Sequence, residues 1–269
     1  MKVAAYQAPL LPIGSMEAVA LIRRRIDWCQ AAGVEILCCP EGVLGGLADN
    51  APRPQDIAID VEGGQLAEVL APLASDQVTT ILGFTEAGRD GALYNTAAVW
   101  HRGEVAGLYR KVYPAIRQSV YSAGERLPVF QVGDLTFGIV ICNDSNFVEP
   151  ARLIAAQGAS ALFVPTNNGL RPEKADVVVA ARRGGMARAV ENSLWVIRAD
   201  VAGQNDGLVA YGTSSIIDPD GGVVREAKLS SEDMVVADIE TVARPRVRGW
   251  GADRNPAVAA AYANFLGQR

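Results

Sequence analysis

The chain has a single histidine, His101, among 269 residues. That scarcity excludes several chemistries. A two-histidine zinc site or an HExxH protease cannot be built. Any nucleophile that needs histidine as its base must use His101 or find another group. Cysteine is scarce as well: Cys29, Cys38, Cys39 and Cys142 form no CxxC pair, so neither a zinc ribbon nor a thioredoxin-like motif is offered. No run approaches the roughly 20 apolar residues of a membrane helix. The opening apolar stretch is too short and interrupted for a signal-peptide core. The expected setting is therefore the cytoplasm, away from membranes, where structural disulfides are rare. Basic residues are in deficit, 25 against 30 acidic for a net charge of −5, which argues against a general nucleic-acid binder. Neither GxGxxG nor a P-loop pattern occurs, so a nucleotide enzyme is a poor candidate.

What is present suits a folded α/β protein. Apolar residues make up 49% of the chain, enough for a core and too many for disorder. No low-complexity linker or repeat divides it, so one domain over 1–269 is expected. β-branched runs alternate with helical patterns. Strands are predicted over 3–8, 35–40, 78–85, 161–164, 194–199 and 234–239. Hairpins are predicted over 93–110, 130–141 and 214–226. A helix is expected from an N-cap at Ser15 to about residue 32, with Gly33 as its stop. Others are expected over 63–74, 146–156, 174–192 and 257–266. Strand–helix units mixed with hairpins imply a mixed sheet or two sheets, with helices on the outer faces.

Three polar residues end these strand patterns. Glu41 follows the run Leu37-Cys38-Cys39-Pro40, at a strand end, where ligand sites of α/β sheets concentrate. Lys111 stands where the strand Leu108-Tyr109-Arg110 gives way to a proline-containing loop. Cys142 ends the strand Gly138-Ile139-Val140-Ile141 and precedes Asn143-Asp144. Taken singly, each has a plain alternative: a solvated carboxylate, a solvated lysine, a core cysteine. Together they make chemical sense. Cys142 is a candidate nucleophile, its thiolate expected to be favoured by the lysine and a nearby helix N-terminus. His101 sits at a predicted hairpin turn, so the base falls to Glu41. Lys111 and the backbone N–H of Asn143 are candidates to hold a tetrahedral oxyanion. Cys29 and Cys38 read as buried fillers.

On these residues the sequence resembles the nitrilase superfamily of carbon–nitrogen hydrolases. Pro40-Glu41, Tyr109-Arg110-Lys111 and Cys142-Asn143-Asp144 resemble its three catalytic segments in order. The helix end Arg188-Ala189-Val190-Glu191-Asn192 and the hairpin 211–221 resemble segments that follow. The resemblance implies a four-layer α-β-β-α sandwich, a Glu41–Lys111–Cys142 triad, no metal and no organic cofactor. It also implies a homodimer paired through outer helices. The match departs from the pattern in places. Many members carry a second glutamate between the lysine and cysteine segments, yet residues 111–124 contain no acid, and Arg117 or Gln118 falls near that position. Val148 replaces a usual proline, and Asp200 a common asparagine.

Cys142-Asn143-Asp144 is more amidase-like than nitrilase-like, which favours a small carboxamide as substrate and its hydrolysis to carboxylate and ammonia. N-carbamoyl cleavage and nitrile hydrolysis are the alternatives, and a non-catalytic oligomeric binding relative is the alternative of a different class. Arg171 and Lys174 are candidates to receive a substrate carboxylate. Tyr113 and Asn167 are further pocket candidates. Arg188 and Glu191, at i, i+3, are expected to form a structural pair.

Overall fold

The computed structural model describes residues 1–115, 118–174, 177–244 and 255–260. The chain opens with β1 (Lys2–Pro9), α1 (Ala18–Ala32), β2 (Ile36–Cys38), β3 (Ile59–Asp60), α2 (Gln65–Leu70), β4 (Thr79–Ala87), β5 (Leu93–His101) and β6 (Glu104–Arg110). It continues with β7 (Val129–Val132), β8 (Leu135–Ile139), α3 (Val148–Ala156), β9 (Ala161–Pro165), α4 (Val177–Asn192) and β10 (Trp195–Ala199). It closes with β11 (Val201–Asn205), β12 (Leu208–Tyr211), β13 (Ser215–Ile217), β14 (Val223–Glu226) and β15 (Asp233–Asp238).

These strands form two mixed sheets. One is ordered β12-β11-β1-β2-β4-β5-β6, with β15 also on β1 and β3 also on β4; the other is ordered β14-β13-β10-β9-β8-β7. Successive strand residues point to opposite faces, and the packing follows that alternation. Val3, Ala5, Ile36, Cys38 and Ile81 of the first sheet meet Phe137, Ile139, Phe163 and Ile197 of the second in a shared core. The alternate residues Ala4, Tyr6, Leu37 and Leu82 face Ile22, Ile26 and Cys29 of α1 and Leu66 and Leu70 of α2. On the far side Val140, Leu162, Val164 and Val196 face Ile154 of α3 and Ala189 of α4. The layers are thus α-β-β-α, as expected.

Several boundaries differ from the sequence reading. Ser15 is not the helix cap: α1 starts at Ala18 with no side-chain cap on Glu17, and the Ser15 hydroxyl instead accepts the Glu17 N–H. The segment after Cys142 is first a 3₁₀ turn, Cys142–Asn146, and α3 begins only at Val148. The α2 pattern is cut short by Pro72, leaving a 3₁₀ turn at Ala71–Leu73. The β11–β12 hairpin was not anticipated, although its turn carries Asp206-Gly207, both at positive φ (49° and 76°), the signature of a tight hairpin turn. Of the expected terminal helix, 256–260 is helical and 261–266 lies outside the described residues. Among the described residues no helix is long and apolar enough to cross a membrane.

Candidate active site

Glu41, Lys111 and Cys142 follow β2, β6 and β8 respectively. The strands β2 and β4 run parallel, and β5 and β6 alternate in direction from β4. The carboxyl ends of β2 and β6 therefore lie at one edge of the first sheet. The second sheet brings the ends of the parallel strands β8 and β9 to the same place. A backbone bond joins the two edges, with Glu41 N–H donating to the Thr166 carbonyl just past β9 (3.3 Å).

Glu41 and Lys111 are both buried and form an ion pair, Nζ donating to Oε1 at 2.5 Å. The carboxylate has further donors: Asn95 Nδ2 to Oε1 at 2.8 Å and Asn167 N–H to Oε2 at 3.0 Å. Burial acts to lower the Lys111 pKa, but neighbouring negative charge, that of Glu41 foremost, more than offsets it, so the ammonium is held above its ordinary value. The lysine backbone is also fixed. Its N–H donates to the Asn95 carbonyl and its carbonyl accepts the Gly124 N–H, both at 2.8 Å. Lys111 is thus positioned without a second glutamate in 111–124. Arg117, near that position, lies outside the described residues.

Cys142 is half-buried and adopts φ +44°, a left-handed conformation that a non-glycine residue holds only at a cost of about 1–3 kcal/mol. The turn is held by its own hydrogen bonds. Ser145 Oγ donates to the Cys142 carbonyl (2.7 Å), and Asp144 accepts the Ile141 N–H (2.9 Å), the Tyr109 hydroxyl (2.7 Å) and the Tyr113 N–H (2.8 Å). Burial still raises the Asp144 carboxyl to about 6 against these donors. Lys111 acts on the Cys142 thiol in the expected direction but is not the largest influence. Burial first, then the Glu41 charge, pushes the Cys142 thiol up to about 12, outweighing Lys111 and Arg198. The lysine's pull is opposed by the charge of its own glutamate, and the short 3₁₀ turn replaces the helix start that was expected to help.

Tyr113 flanks the turn, its ring 4.2 Å from that of Phe147 and its carbonyl accepting Asn143 Nδ2 (3.1 Å). Asn167 lies on the opposite side, its side chain donating to the Glu41 carbonyl (3.3 Å). Arg171 does not join the triad. It is exposed on the wall of an adjoining cleft of ≈ 950 Å³ that shares Gly42 and Asn167 with the site. Lys174 ends a 3₁₀ turn, and its side chain lies outside the described residues. Arg188 and Glu191 pair as expected, at 3.1 Å. His101, the last residue of β5, shares a hydrogen bond with Thr79 Oγ1 (2.7 Å) and pairs with Glu104, ~20 Å from the Lys111 end of β6 at 3.3 Å per strand residue. Sequence reasoning missed Asn95, Tyr109, Asp144 and Arg198. Among the described residues Arg198 is the largest fully buried side chain, donating to Thr166 Oγ1 (3.2 Å) and Ser145 Oγ (3.1 Å) beside the cysteine turn. A lone arginine inside the apolar run Trp195-Val196-Ile197-Arg198-Ala199 was the available signal.

The four-layer sandwich thus carries a buried glutamate–lysine pair and a left-handed cysteine turn together at its strand ends. The carbon–nitrogen hydrolase family matches residues 2–247, and the chain belongs to that family, within the nitrilase superfamily. It is 30% identical over 249 residues to a hydrolase in the pqqF 5′ region of Pseudomonas protegens, covering 89% of this chain and 83% of that one. It is 32% identical over 200 residues to an (R)-stereoselective amidase of a Pseudomonas species, covering 73% and 70%. In fold it is similar to a cysteine-to-alanine mutant of the Nesterenkonia AN1 amidase of the nitrilase superfamily, with TM-score 0.77, 24% identity and 97% of each chain covered.

Proposed function

We propose that this hydrolase acts on small carboxamides, releasing ammonia and a carboxylate through a thioester on Cys142. The observation that carries the reading is the buried Glu41–Lys111 pair, whose charges both bear on the Cys142 thiol. Because burial and the Glu41 charge push that thiol up, the mechanism calls for a base at the moment of attack, and Glu41 is the carboxylate at hand. In this mechanism Sγ attacks the amide carbon as its proton passes to Glu41. Lys111 Nζ and the Asn143 N–H then stabilise the oxyanion. The C–N bond breaks, and the amine leaves with the proton from Glu41. Water, deprotonated by Glu41, cleaves the thioester and restores the thiol. Proton transfer to Glu41 removes the negative partner of Lys111 as the oxyanion acquires one, so the ammonium always has a counter-charge.

Amidase relatives and Cys142-Asn143-Asp144 support an amide over a nitrile. Tyr113 and Asn167 border the reacting group in this reading. Arg171 meets only a remote, anionic part of a substrate reaching the adjoining cleft. We read the chain as one domain that pairs with a second copy through its outer helices. The test is ammonia release from a panel of carboxamides, N-carbamoyl amines and nitriles, with Cys142→Ala as control. Wild-type turnover of a carboxamide, abolished in the variant, is expected, with a mass adduct of the acyl group on Cys142. Equal rates for the two proteins would sink the mechanism. Preferential turnover of a carbamoyl compound or nitrile would reassign the substrate.

A further inference from the structure

Asp200 follows β10 and is not one of the reacting groups above. It is wholly buried. Its Oδ1 accepts the N–H of Asn168 (2.9 Å) and of Val201 (2.8 Å). Its Oδ2 accepts Asn168 Nδ2 (2.9 Å) and the Thr213 hydroxyl (2.5 Å). An ionised carboxylate is acceptor-only, with about four lone-pair sites, and here neutral donors fill them. Asn168 is therefore gripped by both backbone and side chain. The residue before it, Asn167, sends its N–H to Glu41 Oε2 (3.0 Å) and its amide to the Glu41 carbonyl (3.3 Å). One residue earlier, the Thr166 carbonyl accepts the Glu41 N–H.

We propose that Asp200 is a positioning residue for Glu41. By latching Asn168 it sets the direction of the Asn167 N–H, and that bond fixes one oxygen of the carboxylate while Lys111 and Asn95 fix the other. The inference rests on the proposed role of Glu41 as base. The latch itself is made of hydrogen bonds, although the Asp200 charge also bears on Cys142 and Arg198. An amide at position 200 can rebuild it if the Asn168 amide turns over, presenting oxygen where it now presents nitrogen, and the Thr213 hydroxyl rotates from donor to acceptor. A small apolar side chain cannot.

The test measures kcat and KM on the carboxamide that wild type turns over best, starting from butyramide, for Asp200→Ala and Asp200→Asn. A misaimed base lowers the rate of the chemical step more than binding, so Asp200→Ala is expected to lower kcat about tenfold to a hundredfold, with KM within about twofold. Asp200→Asn is expected to recover kcat to within about threefold of wild type. A folded Asp200→Ala with wild-type kcat overturns the proposal. So does an Asp200→Asn as impaired as the alanine variant, or a loss that merely follows the folded fraction by circular dichroism. If Asp200→Ala does not fold, Asn168→Ala carries the test by severing the side-chain half of the latch. It is expected to lower kcat at least about threefold at unchanged KM, and an unchanged kcat overturns the proposal. Failure of the underlying reading looks different, since Glu41→Gln would then keep wild-type kcat.

Discussion

At the scale of the residue, the site holds its charges in pairs and its nucleophile in reserve. With the Cys142 thiol raised to about 12, the thiolate fraction at neutral pH is small and grows with pH. Alkylation of Cys142 by iodoacetamide in the absence of substrate is expected to accelerate about tenfold per pH unit from 7 to 9. A rate already level at pH 7 would reveal a resident thiolate and remove the need for Glu41. The other cysteines are buried and are expected to label after Cys142. The ion pair makes a second prediction. Lys111→Met leaves Glu41 buried without its cation and is expected to cost about 3–5 kcal/mol in urea unfolding, whereas adding Glu41→Gln to it costs less than the sum of the two single changes. Strict additivity would mean the two groups do not sense one another. These residues were visible in the sequence because each ended an apolar strand. Their states were not, because burial and neighbouring charge set the pKa, and neither is written in a local motif.

At the scale of the element, strands and helices were legible where alternation or 3.6-residue spacing was strong, as in β1, α1 and the β5–β6 hairpin. The 3₁₀ turn after Cys142 was not, because a short turn leaves no periodicity. Nor was the closeness of elements to one another. Gly83 of β4 passes directly beneath the glutamate loop: a Cβ there would lie 2.5 Å from the Gly42 nitrogen, 2.6 Å from the Pro40 oxygen and 2.7 Å from Glu41 Cα. Those are backbone atoms and cannot swing aside. Gly83→Ala is expected to displace Glu41 and lower kcat by more than about tenfold; unchanged turnover would mean the loop tolerates the shift. Gly138 of β8 lies against Ile154 of α3, where a Cβ would sit 2.3 Å from Cγ2. Gly138→Ala is expected to lift α3 and cost about 1–3 kcal/mol in denaturant unfolding, an effect absent if α3 can slide freely.

At the scale of the whole molecule, the sandwich was foreseeable from the mixture of hairpins and strand–helix units together with the family resemblance. The cross-sheet joinery was not, since Tyr109 and Asp144, or Glu41 and Asn167, are far apart in sequence. The outer layer leaves Val148 of α3 and Met186 and Val190 of α4 exposed, apolar surface of the kind that marks association. Under the proposed pairing, light scattering is expected to give twice the chain mass, and Val190→Glu to shift it towards one; a monomeric wild type would discard the interface. Glu41 and Lys111 belong to one sheet, Cys142 and Asn167 to the other. The reaction centre is therefore the seam of the sandwich, and turnover acts as a gauge of the gap between its halves. Mild urea that merely eases the sheets apart is expected to silence the gauge before far-ultraviolet circular dichroism registers any loss of strand or helix.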